Sequence, residues 1–337
     1  MTGGRFGAVI SAMVTAFDAE GCVDLDATVG LARWLVDEQH NDALVVTGTT
    51  GEAPTLSDAE KADVWRAVAE AVTVPVIAGT GTYDTRHTVE LTRLAQGCGV
   101  TGILVVTPFY NRPSQSGLEA HFRAVADATD LPLVLYDIPV RTGRKISHEV
   151  LLRLLREVPN IVAVKDAAGD VAGSARLVAE SPAGAEVYCG EDSLSLALVA
   201  VGAVGVISVA SHWAGRLLDD MLVAFDNGDV DGARHINARL IPSYAFESFD
   251  AAPNPIPTKA VLRLLGHPVG HGRPPMDTEP PDLGHQARQL LAGLGVHVAG
   301  GDAAVVAGPP GPGVVGVGGP ALAGGGAGPG AATGRSG

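Results

Sequence analysis

Short apolar segments recur along the first two thirds of the chain, separated by stretches with the periodicity of amphipathic helices. Eight of these segments have the composition of buried strands: AVISAMV (8–14), ALVVTG (43–48), VPVIAG (74–79), GILVVTP (102–108), LPLVLYDIP (131–139), NIVAVKD (160–166), AEVYCG (185–190) and AVGVIS (203–208). From the second to the seventh they begin roughly thirty residues apart, which leaves room for one helix in each interval. Nearly continuous apolar strands that alternate with helices predict a parallel sheet covered on both faces.

Eight is the number of strands that closes a (β/α)8 TIM barrel, and the sequence predicts such a barrel over residues 1–224. The alternative is an open, doubly wound sheet, which would place a phosphate-binding loop after an early strand. Gly79-Thr80-Gly81-Thr82 begins like such a loop but lacks the third glycine. The closed barrel is therefore the favoured α/β fold.

Helix-start signals and composition divide the rest of the chain. Ser57 with Glu60, and Ser116 with Glu119, match the S-x-x-E capping box that opens a helix. Residues 225–297 predict a C-terminal helical extension, in which His267 and His271 stand among Gly and Pro and indicate a linker better than a metal site. Residues 298–337 are rich in Gly, Ala and Pro, with 15 of the chain's 44 glycines after residue 298, so we expect this tail to be disordered.

The amino-acid composition restricts the binding partners and the cellular compartment that we expect. The 337 residues are 46% hydrophobic, and 23 basic against 37 acidic residues give a net charge of −14, which disfavours nucleic acid and anionic membrane surfaces. No apolar run approaches the roughly 18 residues of a membrane span. Cys22, Cys98 and Cys189 lie far apart without a C-x-x-C pair, which argues against disulfides and thiolate metal sites and fits a cytoplasmic protein.

Polar residues collect where the predicted strands end, and this is the end of a TIM barrel that carries chemistry. The strand exits read GTTGE (48–52), TPFYN (107–111), YDIPVRT (136–142), KD (165–166), CGED (189–192) and IS (207–208). They contain no His and no carboxylate cluster with metal-ligand spacing, so metal-dependent hydrolysis and a Ser-His-Asp arrangement are disfavoured. We expect no metal and no cofactor.

Lys165 is the unusual residue of this set, because it closes the apolar run IVAV where burial should be deepest. A buried lysine loses its proton more readily and becomes a nucleophile, and nearby phenols can move protons during imine formation with a keto group. Each candidate also has a structural interpretation: a snorkelling Lys165, core tyrosines at 110 and 136, helix-capping Thr49 and Thr50, and a helix-end Arg141. Their joint position at one barrel face favours the chemical interpretation.

Five stretches resemble one known family in order and spacing: GTTGE (48–52), VTPFYNRPSQSGLEAHF (106–122), YDIPVRTG (136–143), VKDAAGD (164–170) and NPIPTK (254–259). Over residues 5–297 the chain is similar to the dihydrodipicolinate synthase/N-acetylneuraminate lyase family of pyruvate-dependent class I aldolases. The resemblance implies that Lys165 forms a Schiff base with pyruvate and that Tyr136 transfers protons. It further implies that Thr50 links Tyr136 to Tyr110, which is inserted from a neighbouring subunit.

The same resemblance implies a substrate site. Thr49 and Thr50 would hold the pyruvate carboxylate, with Gly190 and Ile207 lining the pocket, and Arg141 would bind the carboxylate of aspartate 4-semialdehyde through a bidentate fork. The implied reaction is the condensation of these two substrates to 4-hydroxy-tetrahydrodipicolinate, a step of lysine and diaminopimelate biosynthesis. The implied assembly is a homotetramer built as a dimer of dimers.

Two alternatives stay open at this point. A sister aldolase would act on a 2-keto-3-deoxy sugar acid or a sialic acid, and a silent barrel would bind a keto acid without turnover. Three departures from the family pattern also matter: Asp137 replaces a frequent Asn, Phe109 replaces a frequent Tyr, and Lys61 and His87 replace the His and the acid of lysine-inhibited members. We therefore expect weak or absent inhibition by lysine.

Overall fold

Eight parallel strands close into a barrel in sequence order in this computed structural model, which describes residues 3–296 and residue 298. The strands are β1 (Val9–Ala12), β2 (Ala43–Val46), β3 (Val76–Gly79), β4 (Gly102–Val106), β5 (Leu133–Asp137), β6 (Ile161–Asp166), β7 (Glu186–Cys189) and β8 (Gly205–Ser208). Each lies inside an apolar segment that the sequence marked as a strand. The predicted (β/α)8 TIM barrel is confirmed.

Helices follow the strands around the barrel and continue after the last one. The described α-helices are α1 (Leu25–Asp37), α2 (Asp58–Ala71), α3 (Thr85–Gln96), α4 (Gln115–Ala126), α5 (Pro139–Thr142), α6 (His148–Glu157), α7 (Val171–Glu180), α8 (Ser195–Ala200), α9 (Ser211–Asp226), α10 (Val230–Phe246), α11 (Ile256–Leu264) and α12 (Leu283–Gly293). Short 3-10 helices cover Ala53–Thr55 and Asp192–Leu194. None of the helices in the described part of the chain has the length and apolarity needed to cross a bilayer.

One of the two predicted capping boxes is present and the other is wrong. Ser57 caps α2, with its side chain accepting from the Glu60 backbone and the Glu60 carboxylate accepting from the Ser57 backbone. In α4 the N-cap is Ser114, which accepts from the Gly117 backbone N–H at 3.1 Å. Ser116 therefore lies inside the first turn of α4, because Ser114 already accepts the hydrogen bond from the free backbone N–H of Gly117.

Side chains fill both surfaces of the strands. The barrel interior holds a buried cluster that includes Ile10, Val45, Tyr136 and Ile207, whereas a larger cluster lies between the strands and the surrounding helices. A second outer cluster joins β1, β7 and β8 to the C-terminal helices. The predicted disordered tail, 298–337, lies outside the described residues except for residue 298.

The linker between α11 and α12 packs on the barrel rather than extending from it. The ring of His267 lies 4.3 Å from that of Trp34, and Nδ1 of His271 lies 3.0 Å from the Glu279 carboxylate. Nothing about these two side chains indicates a shared metal. Across the described residues, no group of three or more His, Cys, Asp or Glu side chains is arranged to hold a metal ion.

Candidate active site

Lys165 and Tyr136 are neighbours because of strand register. They are paired across the β5–β6 ladder, so both side chains leave the sheet on the same side. Nζ of Lys165 lies 4.3 Å from the centre of the Tyr136 ring. Adjacent strand ends thus bring together an amine and a phenol 29 positions apart in the sequence.

The Lys165 amine is buried, with 5% of the residue exposed. Burial lowers its pKa to about 8, and the charge of Asp192 opposes that shift. No carboxylate of the described residues lies within ion-pair distance of Nζ, in contrast to most buried lysines. An amine in this state is partly neutral near physiological pH and can act as a nucleophile.

The Tyr136 phenol is also buried, and burial raises its pKa to about 12. The positive charge of Arg141 and the Thr49 side chain both oppose this rise in pKa and favour the phenolate. The resting phenol is therefore protonated and held beside the amine. This arrangement suits a group that first donates a proton and then recovers it.

The GTTGE loop carries both threonines into the site after β2. Thr50 Oγ1 accepts a hydrogen bond of 2.8 Å from Asn254 Nδ2, and Thr258 Oγ1 donates to Asn254 Oδ1 at 3.3 Å. Thr49 lines the cavity together with Tyr136, while Thr50 is held from the C-terminal side. Asn254 lies in the NPIPTK stretch but was not singled out from the sequence.

Arg141 lies on α5, a single turn that begins with Pro139 directly after β5. Gly143 ends this turn with φ +70°, a conformation that favours glycine. Such a short turn keeps the guanidinium close to the strand end. Arg141 is exposed and lines the same cavity as Lys165.

Gly190 follows β7 and is required by close packing. A Cβ at this position would lie 2.7 Å from Cγ of Lys165, so any larger residue would displace the lysine stem. Ile207 on β8 is buried in the interior cluster with Tyr136 but is not among the residues lining the cavity. The sequence placed both residues correctly at strand ends, and only Gly190 borders the open space.

A cavity of about 520 Å³ opens above these strand ends. The residues lining it are Thr49, Thr50, Tyr136, Ile138, Val140, Arg141, Lys165, Gly190, Glu191, Val209, Tyr244, Glu247, Ser248, Phe249, Asp250, Pro253 and Asn254. One amine, one guanidinium, several hydroxyls and two phenols therefore face a space large enough for two small carboxylic acids. Residues 244–254, which follow the barrel, form one wall that strand-exit reasoning could not identify.

Tyr110 stands apart from this group within the single chain. It is 92% exposed, and its φ of +71° is unusual for a residue with a side chain. Beside it, the Phe109 ring packs edge-on against Tyr83, with centres 5.5 Å apart. The structure does not bring Tyr110 to Thr50 within one chain.

Comparison with known proteins identifies the family. The model of the dihydrodipicolinate synthetase family matches residues 5–292. The chain belongs to this family. It is 47% identical over 274 residues to a 4-hydroxy-tetrahydrodipicolinate synthase of Moorella thermoacetica, covering 81% of this chain and 92% of the relative.

Solved structures of family members agree in fold. A dihydrodipicolinate synthase of Bacillus anthracis superposes with a TM-score of 0.83 at 38% identity, covering 86% of this chain and 98% of that one. The enzyme of Cyanidioschyzon merolae, solved with lysine bound, gives 0.84 at 40% identity, with 87% and 100% covered. This family member thus shares both the barrel and most of its length with named synthases.

Proposed function

We propose that the protein is a lyase of the 4-hydroxy-tetrahydrodipicolinate synthase type, which condenses pyruvate with aspartate 4-semialdehyde through a Schiff base on Lys165. The observation that carries this proposal is the buried Lys165 amine, stacked on Tyr136 and facing a cavity that also contains Arg141. The names of the relatives support the same reaction.

Each side chain has a step in this reaction. Lys165 attacks the keto carbon of pyruvate, and Tyr136 donates a proton to the departing oxygen and later takes one from the methyl group. Thr49 and Thr50 bind the pyruvate carboxylate through their hydroxyls. The resulting enamine then attacks the aldehyde of the second substrate, whose carboxylate is bound by Arg141.

The assembly follows from the same site. An exposed tyrosine with positive φ next to an aromatic pair supports a subunit contact at the loop of residues 109–112. We propose that Tyr110 of one subunit completes the site of its neighbour by reaching Thr50, and that two such dimers form the tetramer. A Tyr110→Phe variant mixed with a Lys165→Ala variant would then regain activity through subunit exchange, whereas sites complete within one chain would give no gain.

The central test is borohydride trapping of the full chain with pyruvate, followed by peptide mass mapping. We expect one reduced adduct, on Lys165, and none on Lys259, which serves as an internal buried control. Turnover with aspartate 4-semialdehyde should exceed turnover with 2-keto-3-deoxygluconate or sialic acid. Failure to trap pyruvate would reject the enzyme, and faster sugar-acid turnover would reject this substrate.

A further inference from the structure

Two carboxyl groups near Lys165 have no role in the reaction as described above: Asp192, which is buried, and Glu247, which is half-buried with its Oε2 atom enclosed. Asp192 opens the 3-10 helix after β7, and Glu247 follows α10. Helix α10 packs against that 3-10 helix, and the negative charge of Asp192 acts on both Glu247 and Lys165. Glu247 lines the cavity that contains the lysine.

Three hydrogen-bond donors surround one carboxylate oxygen of Asp192. Its Oδ2 accepts from Ser208 Oγ at 2.8 Å, from the Val209 backbone N–H at 2.9 Å and from the Ala210 backbone N–H at 2.7 Å. Three donors on one oxygen favour the carboxylate form. Asp192 therefore offers the better hydrogen-bonded site for the negative charge of the pair.

Glu247 lacks a comparable set of donors. No N–H or O–H of the described residues donates to Glu247 Oε2 or Asp192 Oδ1. Two enclosed carboxylate oxygens without a donor disfavour two ionised groups side by side, which favours one proton shared by the pair. Burial raises the pKa of Glu247 well above its usual range, which assigns that proton to Glu247.

None of the other described groups that act electrostatically on the Lys165 amine supplies a buried negative charge. The Asp192–Glu247 pair is therefore the buried anion of this amine. Burial raises the pKa of Cys189 to about 12 and that of the Tyr244 phenol still further, so both are neutral, as is Tyr136. Arg141 is positive and opposes protonation of Lys165. The remaining acid, Glu191, is half-buried, unlike Asp192, and solvent screens its charge.

We propose that Glu247 and Asp192 share one proton and act together as a single buried counter-charge for the positively charged iminium that forms on Lys165. This inference rests on the proposed Schiff-base function. In that step the nitrogen of the neutral amine bonds to the keto carbon, and the keto oxygen leaves as water. One proton of that water comes from the amine and one from the Tyr136 phenol, which recovers a proton later from the methyl group, so the nitrogen becomes cationic while the pair keeps its charge of minus one.

The test follows the pH dependence of pyruvate trapping with cyanoborohydride on the full chain. In Asp192→Asn the counter-charge is lost, so the midpoint of the acidic limb should fall by about one pH unit. The pyruvate concentration for half-maximal trapping should rise about tenfold. The midpoint does not depend on how much of the variant is folded, because unfolded protein lowers only the amplitude.

Two glutamate variants provide matched controls. Glu247→Gln replaces a neutral acid by a neutral amide that can still donate to Asp192. The midpoint of the acidic limb in this variant should therefore equal that of wild type. Glu191→Gln should move the midpoint less than Asp192→Asn. An unchanged midpoint in Asp192→Asn, or an equal shift in Glu247→Gln, would overturn the proposal.

An infrared measurement keeps the proposal testable even if Asp192→Asn does not fold. Wild type should show the carbonyl band of a protonated carboxylic acid near neutral pH, and Glu247→Gln should lack it. Absence of that difference overturns the shared proton. Absence of any pyruvate adduct in wild type would reject the proposed function instead, so the two failures are distinguishable.

Discussion

Two buried lysines in this protein have similar proton affinities and very different surroundings. Burial lowers the pKa of both Lys165 and Lys259 to about 8. Lys259 on α11 lies 2.7 Å from Glu52 Oε1, donates to the His271 carbonyl at 3.0 Å and sits over the Phe17 ring. Lys165 has an aromatic face and an open cavity instead. A lowered pKa therefore does not identify a nucleophile; the absence of a paired carboxylate and access to substrate do.

The ion pair between Lys259 and Glu52 also stabilises the loop that carries part of the Lys165 site. Glu52 ends the GTTGE loop with φ +58°, and its second oxygen accepts from the Arg273 backbone at 2.9 Å. The ion pair thus ties the loop that carries Thr49 and Thr50 to the C-terminal part of the chain. One lysine performs chemistry, and the other holds the loop in place.

The largest expected effect comes from Lys165→Met. Turnover should fall at least about a thousand-fold and pyruvate trapping should vanish, because Lys165 is the one lysine among the described residues that lines the cavity. The free energy of unfolding should stay the same or increase, because a buried cation has been removed. Urea denaturation with the trapping assay checks both, and a residual adduct elsewhere would break the distinction between the two lysines.

Lys259→Met should show the opposite pattern. It leaves Glu52 buried without its cation and should lower the free energy of unfolding by about 3–5 kcal/mol. The folded fraction should still trap pyruvate on Lys165. The double variant Lys259→Met with Glu52→Gln should recover part of the loss, whereas Arg234→Met, which breaks an exposed pair with Asp231, should cost less than about 1 kcal/mol.

The pH dependence of trapping sharpens the comparison further. Only neutral Lys165 attacks pyruvate, so the rate of adduct formation should rise about tenfold per pH unit below a midpoint near 8 and then level off. Lys259→Met should keep this midpoint in its folded fraction. A midpoint near that of a free lysine would contradict the burial argument.

A smaller effect concerns stability at Asp137, where the family often has Asn. Burial raises the pKa of this carboxyl to about 6, although Lys145 Nζ lies 3.5 Å away. The folded state then binds the proton more tightly than the unfolded chain, so stability is lost as pH rises through about 6. Asp137→Asn should add up to about 2 kcal/mol at pH 7 and nothing near pH 4. Urea titrations at both pH values check the sign.

The smallest expected effect involves a third buried lysine, Lys61 on α2. Its Nζ lies 3.9 Å from Asp58, whose carboxylate also contacts Nε2 of His87 at 2.9 Å. This arrangement places a cation where the family resemblance implies a histidine in lysine-inhibited members, and the Asp58 carboxylate is already paired with His87. Lysine should therefore inhibit turnover weakly or not at all. Inhibition at sub-millimolar lysine would show that the rearranged pair still accepts it.

Local patterns in the sequence were sufficient for the barrel and for part of the site. The apolar runs located every strand, and the charge that ends IVAVK marked Lys165, because burial and strand periodicity depend on near neighbours. The second capping box failed for the opposite reason, since two serines compete within one turn and only backbone geometry selects Ser114. Asp192 appeared at a strand exit, but nothing in its neighbourhood revealed a partner.

The sequence alone established a closed barrel with a lysine and a tyrosine at adjacent strand ends, because alternation and strand order are local properties. Folding decided the rest: Asn254 reaches Thr50 across 204 positions, and Glu247 reaches Asp192 from a helix beyond the barrel. These contacts depend on how the C-terminal helices pack over the barrel mouth. Periodicity carries no information about that packing, because it constrains only residues within a few positions of each other.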